Sequence, residues 1–148
     1  MDPIGLKHFV MFMIESGQHS PQELNILIVD DSELFCARLG DLLKTLAGVT
    51  ICGLAHSAHA AIEFIETHIL DVLILDIHMA GGSGFKVLRK VKFDHPNMVV
   101  IVLTNHPFPQ YRKKYLGAGA DYFMDKSSDF PMLVDLIRSL SAKCAVHV

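Results

Sequence analysis

No apolar run in this chain reaches the roughly 18 residues of a membrane span. The apolar stretch near the amino end, Phe9-Val10-Met11-Phe12-Met13-Ile14, is too short. A secretory leader is not legible there either: Lys7 stands beside Asp2, and no small-x-small pattern follows. Internal repeats and low-complexity tracts are missing. Cysteine is scarce and scattered: Cys36, Cys52 and Cys144 form no C-x-x-C. That argues against a disulfide framework and for a reduced, cytoplasmic setting. A basic surplus is also missing. Thirteen Lys and Arg face 16 Asp and Glu, for a net charge of -3. Composition therefore makes no electrostatic case for nucleic-acid binding.

What is present is apolar material. The chain has 148 residues, 51% of them hydrophobic, and a mean hydropathy of +0.35. That suffices for one domain with one sizeable core. Ser16-Gly17-Gln18-His19-Ser20-Pro21 is turn-rich and reads as a linker. The expected division is an extension and linker over 1–23, a domain over 24–142 and a tail over 143–148. The extension is too apolar for a free tail. Packing on the domain, pairing of two chains and holding of a partner remain open for it.

From the linker onward, two periodicities alternate. Ile26-Leu27-Ile28-Val29 is a short apolar run and predicts a buried strand. Ser32 suits a helix cap, and Phe35, Leu39, Leu42, Leu43 and Leu46 recur at helical spacing up to Gly48. Val49 to Leu54 predicts a second strand, and Ala58, Ala61, Ile62 and Ile65 a second helix after Ser57. Val72-Leu73-Ile74-Leu75 predicts a third strand, followed by a loop with Gly81, Gly82 and Gly84 and a helix carrying Val87, Leu88 and Val91. Met98 to Leu103 predicts the fourth strand. Pro107 and Pro109 suit the start of a helix that Gly117 and Gly119 close. Tyr122-Phe123-Met124 predicts the fifth strand, and Leu133, Leu136, Ile137 and Leu140 the last helix. Continuous apolar strands alternating with helices predict a doubly wound α/β fold, its parallel sheet covered on both faces.

In such sheets the site lies beyond the carboxyl ends of the strands. Those ends carry Asp30 and Asp31, Asp76, Thr104 and Lys126. The apolar runs do not require polar endings on one edge. Separately, each has a plain explanation: a helix cap, a turn former, a solvated lysine. Jointly they describe a site. Two carboxylates ~4 Å apart repel by about 4 kcal/mol at an effective dielectric of about 20. Lys126 offsets part of that, and a hard divalent cation such as Mg²⁺ suits the oxygens. A cation and an ammonium are also what a transferring phosphoryl group needs, with an aspartate as nucleophile.

Together these residues carry a resemblance. Residues 25–142 resemble the receiver domain of bacterial two-component response regulators. The matching features are Asp30-Asp31, Asp76 after its apolar strand, Met79 and Gly84 in the next loop, Thr104 after Val100-Ile101-Val102-Leu103, and Gly117-Ala118-Gly119-Ala120-Asp121-Tyr122-Phe123 leading to Lys126. The resemblance implies a flavodoxin-like (βα)5 fold with strand order 2-1-3-4-5. It implies Asp76 as phosphoacceptor, and Asp30, Asp31, Asp76 and the backbone carbonyl of His78 as Mg²⁺ ligands. Thr104 and Lys126 become phosphoryl sensors, and Phe123 the switch aromatic. The implied donor is a sensor histidine kinase or histidine phosphotransfer protein. The implied target docks on the surface of helix four, strand five and helix five, where Arg112-Lys113-Lys114 suits an acidic groove. Catalysis is limited to the domain's own phosphorylation and dephosphorylation. Neither direct DNA binding nor a membrane span is expected.

Some positions depart from the family pattern. Ala80 and Ser127 stand where prolines are common, and Asn105 where a small residue is usual. Asn105 is expected to crowd phosphoryl access, and Ser127 to loosen the Lys126 loop. His78 and His106 flank the phosphoryl site and are candidates, with Asn105, for tuning phosphoryl lifetime. His56, His59 and His68 lack a fourth ligand at useful spacing for zinc. After Leu140 only Ser141 to Val148 remain. That is too short for an output module, so the expectation is a stand-alone receiver, or a piece of a larger protein, that works by docking. The competing expectations are a constitutive interaction module that ignores phosphate and a Mg²⁺ phosphohydrolase. For the latter, His78 replaces the second acid of an Asp-x-Asp nucleophile motif.

Overall fold

The computed structural model describes residues 23–79 and 84–146. Ala80, Gly81 and Gly82 and the amino-terminal extension lie outside the described residues. The elements alternate strictly: β1 Leu24–Val29, α1 Glu33–Lys44, β2 Val49–Ala55, α2 Ala58–Thr67, β3 Val72–Leu75, α3 Gly84–Asp94, β4 Val99–Thr104, α4 Pro109–Gly117, β5 Tyr122–Asp125 and α5 Phe130–Val146. All strand pairs are parallel, in the order β2-β1-β3-β4-β5. This is the expected doubly wound sheet.

Burial on both faces explains the composition of the strands. β1 and β3 are buried at every position. Residues of alternate parity face two separate cores. Leu27, Val29, Leu73, Leu75, Val100 and Val102 pack with α2, α3 and α4. Ile26, Ile28, Val72, Ile74, Ile101 and Leu103 pack with α1 and α5. Fully burying one such side chain stabilises by roughly 1.5–3 kcal/mol, so both helical layers are held firmly.

Local signals act as the sequence suggests. Ser32 Oγ accepts from Phe35 N at 3.1 Å, and Ser57 Oγ from Ala60 N at 3.1 Å. Pro109 opens α4. Gly48 (φ 74°) and Gly119 (φ 109°) take left-handed conformations that reverse the chain after a helix. The apolar stripe of α1 differs from expectation. Leu42 is 43% exposed, and Cys36 occupies the core instead, fully buried. A strict helical count tolerates either position on the edge of the face, and the sheet's surface decides between them. The last helix also continues through residues 143–146, expected as tail.

Candidate phosphoryl-transfer site

Strand register builds the site. Val29 pairs with Leu75, so the next residues, Asp30 and Asp76, leave the sheet side by side. Asp76 N donates to Val29 O at 2.9 Å, which locks that step. Thr104 pairs with Asp125, and Lys126 N donates to Thr104 O at 2.9 Å. Lys126 thus enters from the far edge of the sheet.

Ligand oxygens of Asp30, Asp31 and Asp76 all lie within 4.8 Å of one another. Asp30 and Asp76 are buried, whereas Asp31 is exposed. Lys126 Nζ forms a close ion pair with Asp30 Oδ2 and lies 3.9 Å from Asp76 Oδ2. Its ammonium also sits 4.2 Å from the centre of the Phe35 ring, a favourable cation–π placement. Three carboxylates against one ammonium leave two uncompensated negative charges, the charge of one divalent cation. The donor set is all hard oxygen, and the exposed Asp31 side leaves room for water and a phosphoryl ligand. These features fit Mg²⁺.

The Asp76 carboxyl is pushed above its ordinary range, chiefly by burial. Lys126 pulls it back down, Asp30 raises it, and the His78 backbone N–H lowers it. Asp30 is held by local bonds: its Oδ1 accepts from Ser32 N at 2.9 Å, and its carbonyl oxygen lies 3.0 Å from His56 Nδ1. The Cys36 thiol also points at that carbonyl, at 3.4 Å. Burial, and then the Asp30 charge, push this thiol up to about 11. Cys36 is therefore a protonated packing group and not a rival nucleophile.

Thr104 is fully buried. Its Oγ1 accepts from His106 N at 2.9 Å, which leaves the hydroxyl hydrogen to donate. The His78 and His106 rings, 28 residues apart in sequence, meet edge to face with centroids 4.4 Å apart. Tyr111 joins them at 5.4 Å from His78. Asn105 is exposed. Phe123 is buried, beside Tyr115 at 6.5 Å, and the Arg112 guanidinium lies 5.9 Å from its ring centre. Arg112 Nη1 also donates to Phe123 O at 3.2 Å.

Two expectations need revision. Ser127 does not loosen the Lys126 loop. Its N–H and hydroxyl both donate to Asp125 Oδ1, at 2.8 and 2.7 Å, and Asp129 Oδ2 accepts from Asp125 N at 2.8 Å. Hydrogen bonds to the ionised carboxylate, from the Ser127 N–H first, hold Asp125 below the usual range. Gly84 is not a loop residue but the first residue of α3. A Cβ there would lie 2.3 Å from Asp76 O and 3.1 Å from Ile77 Cα. No larger residue fits so close to the acceptor's own backbone. A glycine ending a glycine-rich stretch was the visible signal, but nothing in sequence says which backbone it touches.

The roles of Phe35 and His56 were not legible. Phe35 reads as helix core and His56 as a stray histidine. Only His56, which directly follows β2, carried a hint in its position. The histidines weighed for zinc separate: His59 Nε2 faces Glu63 at 3.1 Å, and His68 stacks on Phe64 at 3.7 Å. Among the described residues, only Asp30, Asp31 and Asp76 gather as a metal-binding group. No described helix is long and apolar enough to cross a membrane.

Comparison with known proteins gives one consistent result. Residues 26–138 match the response regulator receiver domain. The response regulator UvrY of Escherichia coli K12 is 30% identical over 117 residues, covering 79% of this chain and 54% of that protein. A cyclic di-GMP phosphodiesterase of Thermotoga maritima is 33% identical over 115 residues, covering 78% of this chain and 29% of that protein. This chain spans about half the length of the UvrY relatives it matches. Among solved structures, the signal receiver domain of a DNA-binding response regulator from Colwellia psychrerythraea superposes with a TM-score of 0.74 at 26% identity, covering 80% of this chain and 98% of that one.

Proposed function

The chain belongs to the response regulator receiver domain family, and from that premise we propose that Asp76 is the residue that accepts the phosphoryl group. A receiver domain is a phosphoacceptor that switches protein interactions and catalyses only its own phosphorylation and dephosphorylation. Its donor is a histidine kinase or phosphotransfer partner. The observation that carries Asp76 is its place at the end of β3, its carboxylate grouped with two further acids and 3.9 Å from an ammonium.

The chemistry follows from those groups. An Asp76 oxygen attacks phosphorus and forms an acyl phosphate. The bond from phosphorus to the donor's imidazole nitrogen breaks, and the imidazole leaves with the electron pair. Burial and the neighbouring acids raise the energy of the Asp76 carboxylate, and forming the mixed anhydride moves the negative charge onto the phosphoryl oxygens. Lys126 then pairs with a phosphoryl oxygen, and Thr104 donates its hydroxyl to another. Asp30, Asp31, Asp76 and the His78 carbonyl are the proposed Mg²⁺ ligands. Bound there, Mg²⁺ supplies the positive charge that a phosphoryl group in transfer requires.

Readout runs through Phe123. As Thr104 moves toward the phosphoryl group, its bond to the His106 N–H changes and space opens beside the aromatic ring. The ring position alters the surface of α4, β5 and α5, where the target docks. His78, two residues after Asp76, crosses rings with His106, and with Asn105 these side chains are proposed to limit water's approach and so tune phosphoryl lifetime. The domain acts in the cytoplasm and does not itself contact DNA.

The test is phosphorylation by a small acyl phosphate with Mg²⁺, followed by intact mass measurement. A gain of one phosphoryl group in the native protein and none in Asp76→Asn is expected. Uptake that survives Asp76→Asn would place the acceptor elsewhere, and no uptake by the native protein would leave a constitutive interaction module. For the histidine pair, an unchanged dephosphorylation rate in the His78→Ala, His106→Ala double variant would remove the tuning role.

A further inference from the structure

The chain as a whole is acidic, yet its cations are not spread evenly. Lys86, Arg89, Lys90 and Lys92 lie on α3, and Arg112, Lys113 and Lys114 on α4. Those two helices hold seven of the thirteen Lys and Arg and one carboxylate, Asp94. They are neighbours: Lys114 Nζ lies 4.3 Å from the Phe85 ring centre, and the Phe85 and Tyr115 rings meet at 5.4 Å.

Some of this charge is internally engaged. Lys90 pairs with Asp94 and Glu66, Lys92 with Asp121, and Arg112 reaches the Phe123 carbonyl. Lys86, Arg89, Lys113 and Lys114 have no carboxylate within ion-pair distance among the described residues, and all four are exposed. On α3, Lys86, Arg89 and Phe93 recur at helical spacing opposite the buried Val87, Leu88 and Val91. Phe93 is 88% exposed, the most exposed of the large hydrophobic residues described. An aromatic ring held in water on the crest of a helix, beside uncompensated cations, has the composition of an interface core with a charged rim.

We propose that the outer face of α3, with Lys114 of α4, docks an acidic segment of a partner protein that offers an apolar pocket or side chain to Phe93. Charge complementarity favours an acidic occupant. A protein is favoured over a nucleic acid for two reasons. The chain's net charge of -3 repels a long polyanion. The Asp94 and Glu66 carboxylates, paired to Lys90, also border the stripe, so only a short acidic stretch fits between like charges. This face carries none of the phosphoryl-site residues; it borders the proposed target surface at Lys114, and its α3 part does not rest on the function proposed for Asp76.

The test uses the full chain and a fluorescently labelled synthetic peptide, a helix-forming sequence rich in Glu with one leucine stripe. Anisotropy should report binding that weakens as salt rises, since these are exposed charges. Lys86→Glu with Arg89→Glu should lower affinity about tenfold or more. Phe93→Ser should lower it severalfold with little change in salt dependence. Arg138→Glu, on α5 of the opposite layer, should leave it unchanged. A single-stranded oligonucleotide of equal charge should bind more weakly than the peptide. Failure of the peptide to bind, equal loss in Arg138→Glu, indifference to Phe93→Ser, or tighter binding of the oligonucleotide would each overturn the proposal. Unchanged circular dichroism and phosphoryl uptake in the variants show that folding is not the cause.

Discussion

Both ends of the sheet carry carboxylates, and they behave in opposite ways. At the amino end, Asp71 Oδ2 accepts from Asn25 N at 2.8 Å, and Asp121 Oδ2 accepts from Val100 N and from Lys92 Nζ, each at 2.8 Å. Each acid there receives a strand N–H and ties neighbouring strands together. At the carboxyl end, Asp30, Asp31 and Asp76 crowd one another with a single ammonium between them. The amino-end acids are satisfied and structural. The carboxyl-end acids hold an unbalanced negative charge that a divalent cation would neutralise. The difference lies in the partners: each amino-end acid accepts a strand N–H, and Asp121 also the Lys92 ammonium, whereas the three carboxyl-end acids share one ammonium.

That contrast can be broken most sharply at Asp76. Asp76→Asn should abolish phosphoryl uptake and also remove an unfavourable charge. Because the Asp76 carboxyl is raised in the folded state, that state holds its proton more tightly than the unfolded chain. The contribution of Asp76 to native stability should therefore fall as pH climbs from the ordinary carboxylate range through the raised one. Denaturant unfolding at acid and neutral pH should show a smaller fall in the Asn variant. Gly84→Ala comes next. Its Cβ would meet Asp76 O at 2.3 Å, and the expected loss of stability is about 3 kcal/mol, the upper end of overpacking costs. The midpoint of urea unfolding reads this.

Mg²⁺ sharpens the contrast from the other side. At a hundred times its dissociation constant, a bound ion stabilises by about 2.7 kcal/mol. Thermal melting should rise with Mg²⁺ in the native protein and much less in Asp31→Ala. Asp71→Ala, at the amino end, should have the smallest effect. It removes the acceptor that lies 2.8 Å from Asn25 N and should cost about 1 kcal/mol, with phosphoryl uptake unchanged. Loss of uptake in that variant would erase the distinction between the two edges.

Much of this was legible in order along the chain. β1, β3, β4 and β5 are largely apolar runs of four to six residues that end in, or run directly into, a polar group, and a parallel sheet aligns those endings on one edge. Asp30, Asp31, Asp76, Thr104 and Lys126 could therefore be gathered from sequence alone. The placement of Leu42 and Cys36 on α1 could not, since helical periodicity leaves the rim of the apolar face ambiguous. Ser127 was misread for a related reason. The absence of proline is visible in sequence, but the Asp125 and Asp129 carboxylates that replace its rigidity act through hydrogen-bond geometry.

By itself, the sequence determined the alternation of elements, the two buried faces of the sheet and the polar residues at four of the five strand ends, because periodicity and burial are local properties of a chain. Only the tertiary structure decided what those residues touch. It set Phe35 beneath the Lys126 ammonium, Gly84 against the Asp76 carbonyl, and the rings of His78 and His106 across one another. It also drew seven cations onto two adjacent helices of an acidic protein. Those relations join residues from 8 to 91 positions apart. Strand register and helix packing set the distances between them, and neither is written in the residues alone.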